Sequence, residues 1–174
     1  QIIAGLKPAF NLHIGRLEYI RAMLLSEFLS PDRVLAGVKA SGKKQILQFL
    51  TELAAEHTQL DAHDLMDTLL AREKLGSTGV GHGVAIPHGK NESLQELIGF
   101  FVLLERPVPF DAIDQEPVDL VFLLLAPTTA GAQHLKALAT ISRLMRDESI
   151  VKRIRNATQA DAIYALLTDP DITS

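Results

Sequence analysis

The 174-residue chain carries 17 basic and 21 acidic residues, for a net charge of −4, with 47% hydrophobic and 22% charged residues. This balance predicts one compact domain with one filled core, and it excludes a general nucleic-acid binder, which needs a clustered cationic face. The absence of cysteine excludes disulfide scaffolds, thiolate metal sites and cysteine nucleophiles, and no apolar run reaches the roughly 20 residues of a membrane helix.

No signal-peptide pattern opens the chain, so the expectation is a soluble, cytoplasmic protein without membrane insertion. Residues 1–22 show no sustained period and read as an N-terminal extension or a non-native segment. The main domain is expected over 23–174, with Met23 opening a better pattern. Arg33–Val38 reads as a short strand. Ser41 is the expected N-cap of a helix over Lys43–His57, with Ile46, Phe49, Leu50 and Leu53 on one face. Asp61 or Ala62 opens a second helix with Leu65, Met66, Leu69 and Leu70 as its apolar stripe, and Gly76 stops it.

Strands are expected over Leu97–Leu104 and Val118–Leu125, both near-continuous apolar runs that suit interior positions covered on two faces. Phe110–Asp114 forms the loop between them, where Asp111 and Asp114 read as loop-ordering residues rather than as a catalytic pair. Helices follow over Ala132–Asp147, Ser149–Asn156 and Gln159–Thr168. Lys152, Arg153 and Arg155 form the densest basic stretch and read as a solvated face. Strands and helices mix along the chain, which predicts an α/β or α+β domain with helices covering a central sheet.

The chemistry concentrates in Gly76–Lys90, which holds five glycines, Ser77, Thr78, His82 and His88. Glycines let backbone N–H groups approach an anion and form a concave cradle. Pro87 favours an extended Ile86 and is expected to end a Val84–Ile86 strand, aiming His88 outward. A phosphate-loop motif fails, because five residues separate Gly83 from Gly89 and Asn91 follows Lys90. The dinucleotide glycine spacing also fails. His82 and His88 lie six apart across a proline, with no zinc-hydrolase pattern, so no metal and no cofactor is expected. A histidine that is itself phosphorylated remains, since neutral imidazole is a competent nucleophile. His82 has no required role, and His13, His57 and His63 read as surface residues.

The run Arg72–Lys90 resembles the active-site signature of phosphotransferase-system enzyme IIA domains of the fructose–mannitol class, most of all their nitrogen-regulatory branch. The similarity continues through Phe110–Asp114, Pro117–Leu120 and His134–Leu138, and covers roughly Leu25 to Asp169. It implies a mixed, roughly five-stranded central sheet flanked by helices. It also implies that His88 is the phosphoacceptor, with His134 and Arg72 as further catalytic residues. Ser77, Thr78 and the Gly89 N–H are candidates to complete the phosphate cradle. The implied donor is an HPr-type (NPr) phosphocarrier, and the implied targets are regulatory ones, such as potassium-transport or sensor-kinase proteins. A sugar-specific enzyme IIA serving a separate enzyme IIB, and a phosphate-independent binding module, are the alternatives.

Overall fold

A computed structural model describes residues 23–173. Two single-turn 3-10 helices, Leu25–Glu27 and Pro31–Arg33, lead into β1 (Val34–Val38). Helices α1 (Lys43–Thr58) and α2 (Ala62–Lys74) follow, then three short strands β2 (Gly79–Gly81), β3 (Val84–Ala85) and β4 (His88–Asn91). The long strands β5 (Ile98–Val108) and β6 (Val118–Pro127) precede α3 (Gly131–Arg146), α4 (Glu148–Asn156), α5 (Ala160–Thr168) and the short α6 (Pro170–Thr173). The mixed six-stranded sheet flanked by helices agrees with the fold expected from the sequence. The expected leading segment 1–22 lies outside the described residues.

The order is β1-β5-β6-β3-β2, with β4 also paired to β6. β5 runs antiparallel to β6, while β1 is parallel to β5, and β3 and β4 are both parallel to β6. Val84 faces Leu120 and His88 faces Leu124, so β3 and β4 keep one register on either side of Ile86–Pro87. They behave as one strand interrupted where proline offers no N–H to the ladder. His88 therefore sits on a strand rather than in a loop beyond a strand end. Pro87 interrupts the ladder without ending it, because its carbonyl still accepts the Leu124 N–H at 3.0 Å.

Both faces of β6 are covered, as its unbroken apolar run predicts. Alternate residues point to opposite faces of a strand. Leu120, Phe122 and Leu124 pack with Ala137, Ile141 and Ile154 of α3 and α4, whereas Val121, Leu123 and Leu125 pack with Leu47, Leu50 and Leu69 of α1 and α2. Two helix starts follow the capping rule: Asp61 accepts the Asp64 N–H at 3.0 Å and Asp147 accepts the Ile150 N–H at 3.1 Å. The expected Ser41 cap does not form. Gly42 holds the cap position of α1, and the Ser41 hydroxyl donates instead to Gln45 Oε1 at 3.0 Å.

Candidate functional site

His88 is fixed by its own strand. Its Nδ1 lies 2.8 Å from the Ile86 carbonyl, and a carbonyl oxygen can only accept. The proton therefore sits on Nδ1, and Nε2 presents its lone pair. Arg72, in the last turn of α2, brings its Nε–H to that lone pair at 3.4 Å and donates from Nη1 to the Gly76 carbonyl at 2.8 Å. Burial, as the main cause, holds the imidazole below the ordinary histidine value of 6.5; the Ile86 carbonyl opposes this and Arg72 adds to it. His88 is thus neutral and nucleophilic at neutral pH.

His134, in the first turn of α3, meets the His88 ring edge-on, with centroids 5.7 Å apart. It is buried, and its Nε2 is the one fully buried side-chain nitrogen or oxygen among the described residues without a hydrogen-bond partner. Leaving such a group unsatisfied costs about 1–3 kcal/mol, and native structures keep few of them outside functional sites. Burial first, then His88 and Lys90, hold His134 below the usual histidine range. Lys90 is exposed and shares the His88 side of β4 by strand alternation.

The other expected site residues are brought close by but are engaged differently. The Ser77 hydroxyl donates to the Phe110 carbonyl and accepts the Gly79 N–H, both at 3.1 Å. The Thr78 hydroxyl is buried and donates to Glu73, which also accepts the Thr78 N–H. Gly89 faces α2: a Cβ there would stand 2.8 Å from the Thr68 methyl. Its lack of a side chain lets α2 approach the sheet, and Arg72, one turn after Thr68, thereby reaches His88.

Sequence reasoning missed Glu73 and Lys43. The Glu73 side chain is only 5% exposed and pairs with Lys43, whose ammonium also lies 4.9 Å from the Phe110 ring centroid. This cluster ties the start of α1, the end of α2 and the turn before β2 together, directly behind Arg72. An Arg-Glu dipeptide at the end of an amphipathic helix was the available signal, yet only packing shows the glutamate turned inward.

Other residues differ from expectation in instructive ways. His57 is not simply a surface residue, because its ring packs edge-on against Phe100 and its Nδ1 lies 3.0 Å from the Leu53 carbonyl. Arg155 is not merely solvated: its Nε and Nη2 grip both carboxylate oxygens of Asp119, and Nη2 also donates to the His82 carbonyl at 2.8 Å. Asp114 does order its loop, accepting the His82 and Glu116 N–H groups. Four large apolar side chains stay exposed among the described residues: Leu75, Ile113, Leu135 and Val80, at 85%, 83%, 69% and 47%. Leu75 follows the Arg72 turn, Leu135 adjoins His134, and the Ile113 N–H donates to the Gly79 carbonyl at 3.2 Å.

Known proteins share this fold and much of this sequence. Residues 27–169 match the family described as phosphoenolpyruvate-dependent sugar phosphotransferase system, EIIA 2. A nitrogen regulatory protein of Bradyrhizobium diazoefficiens is 49% identical over 152 residues, spanning 87% of this chain and 99% of that protein. That of Escherichia coli strain K12 is 40% identical over 150 residues, 86% and 92% of the two chains. The crystal structure of nitrogen regulatory protein IIA-Ntr from Neisseria meningitidis matches at a TM-score of 0.79 and 35% identity, covering 83% of this chain and 99% of that one.

Proposed function

This chain belongs to the EIIA 2 family of the phosphoenolpyruvate-dependent sugar phosphotransferase system, and from that membership we propose that it is a regulatory phosphohistidine protein of the nitrogen type. It accepts a phosphoryl group on His88 from an HPr-type (NPr) phosphocarrier in the cytoplasm. The phosphorylated and free forms then present different surfaces to regulatory targets, such as potassium-transport or sensor-kinase proteins.

The observation that carries this reading is the lone pair of His88 Nε2, held toward Arg72 at 3.4 Å beside the unpartnered Nε2 of His134. The Nε2 lone pair attacks phosphorus as the phosphorus–nitrogen bond to the carrier's histidine breaks, and the bonding pair returns to the carrier. His88 keeps its Nδ1 proton on the Ile86 carbonyl throughout. Charge on the transferring oxygens is met by the Arg72 guanidinium, by Lys90 and by a donor from His134. Exposed Leu75, three residues after Arg72, and exposed Leu135, next to His134, suit a protein donor that must exclude water from the transfer.

Intact mass after incubation with phosphoenolpyruvate, enzyme I and an HPr-type carrier tests the reading. One acid-labile phosphoryl group is expected on the wild type and none on His88→Ala. Because burial sets the His88 pKa below the ordinary 6.5, the uptake rate should fall with acid at a lower pH than for an ordinary histidine. No uptake from a cognate carrier would leave a phosphate-independent binding module. Onward transfer to an added enzyme IIB would instead assign the protein to sugar transport.

A further inference from the structure

His82 and the basic stretch of α4 take no part in the His88 site, and the fold brings them to one cavity. This cavity, of about 600 Å³, lies between the β2–β3 turn, the end of α3 and one face of α4. It sits at the other end of the sheet from the phosphorylation site. Gly83 accepts the N–H groups of Asp119 and Leu120, whereas His88 pairs with Leu124, about 13 Å further along β6 at roughly 3.3 Å per residue.

The lining is cationic in a chain of net charge −4. Arg146, Lys152 and Arg155 face the cavity, against the single carboxylate of Glu148. Asp119 offsets part of the Arg155 charge, and in doing so it fixes the guanidinium through Nε and Nη2, leaving Nη1 as the unengaged edge. Met145 and Val151 supply an apolar floor. His82 is held with a φ of 55°, between two glycines that also have positive φ. A non-glycine residue keeps that conformation only where its surroundings over-determine it, and such strain gathers at functional sites. Here the His82 N–H is tied to Asp114 at 2.9 Å and its carbonyl to Arg155 at 2.8 Å, while its side chain lines the cavity.

We propose that this cavity binds a multiply charged organic anion, with Arg146, Lys152 and the open edge of Arg155 on its charges and Met145 and Val151 under its carbon skeleton. The volume falls within the range of small-molecule sites. Guanidinium and ammonium groups accept phosphate esters and polycarboxylates alike, so those two ligand sources share the chemistry. Occupancy gives the protein an input separate from phosphorylation of His88.

The test is a titration of the ¹⁵N-labelled full chain with adenosine 5′-monophosphate, with citrate and with neutral adenosine, followed by amide shifts. Saturable shifts at His82, Lys152 and Arg155, with a Kd of about 0.1–1 mM, are expected from at least one anion and none from adenosine. A response to the nucleotide assigns a phosphate ester, and a response to citrate assigns a polycarboxylate. The exposed double change Arg146→Gln, Lys152→Gln should weaken binding at least about tenfold, a loss of about 1.4 kcal/mol, while His88→Ala leaves it unchanged. The proposal fails if neither anion gives a saturable shift by about 10 mM, if adenosine shifts the same amides, if the double variant binds as well as wild type, or if His88→Ala abolishes binding.

Discussion

His82 and His88 stand six residues apart in one glycine-rich stretch, yet the fold treats them in opposite ways. At the His88 end the backbone is relaxed strand, and the charged groups behind it are buried: Glu73, 5% exposed, meets Lys43 and Thr78. At the His82 end the backbone is strained, and the Arg155 that holds its carbonyl is itself fixed by a partly exposed ion pair with Asp119, with side chains 36% and 15% exposed. The contrast teaches where reactivity can be kept. A buried, inflexible surround leaves a neutral imidazole with a directed lone pair and one unsatisfied neighbour. An open, cationic surround leaves an exposed imidazole beside a cavity.

Substitutions that remove one tie at a time test that contrast. The largest effect is expected from Glu73→Ala, which leaves the Lys43 charge without its buried partner and should destabilise by about 3 kcal/mol. The matching change at the other end, Asp119→Ala, should cost only about 1 kcal/mol because water screens the pair. Urea unfolding of both variants measures the difference, and equal losses would break the comparison.

Arg72→Ala should lower the rate of phosphoryl uptake about 100-fold, as loss of one pre-arranged donor does, equivalent to about 2.7 kcal/mol of barrier. Stopped-flow or quenched uptake from the phosphocarrier measures this, with melting expected to change little because Arg72 lies at a helix end. Gly89→Ala should destabilise by about 2 kcal/mol through the clash of its Cβ with Thr68, and should slow uptake as α2 and Arg72 move away from His88. A variant that unfolds more easily but transfers at the wild-type rate would show that Gly89 serves packing alone. The smallest effect belongs to His82→Gly, which relieves the left-handed backbone and should stabilise by about 0.5–1 kcal/mol; calorimetry detects it, and a loss of stability would mean that the imidazole makes a compensating contact.

Much of this was legible in the chain order of residues. The unbroken apolar runs of β5 and β6 announced two interior strands, the periodic leucines of α1 and α2 announced their helices, and the clustered glycines around His88 pointed to the candidate site. His134 and Arg72 came only through resemblance to a family, because nothing local in a helix's first or last turn says which residue will face it. The Ser77 and Thr78 hydroxyls illustrate the limit: their type suits a phosphate cradle, while in this structure they hold Phe110 and Glu73.

Sequence by itself therefore determined which segments are buried, which are extended or helical, and where the candidate histidine lies, since side-chain periodicity and backbone preference act over a few neighbouring residues. Tertiary structure alone decided the rest: which His88 nitrogen carries the proton, that Gly89 admits α2, that Glu73 turns inward to Lys43, and that Arg155 closes on a carbonyl 73 residues away. Those outcomes depend on the register in which β3 and β4 lie along β6 and on how closely the helices pack over it. Partners distant in sequence meet only once that register is set.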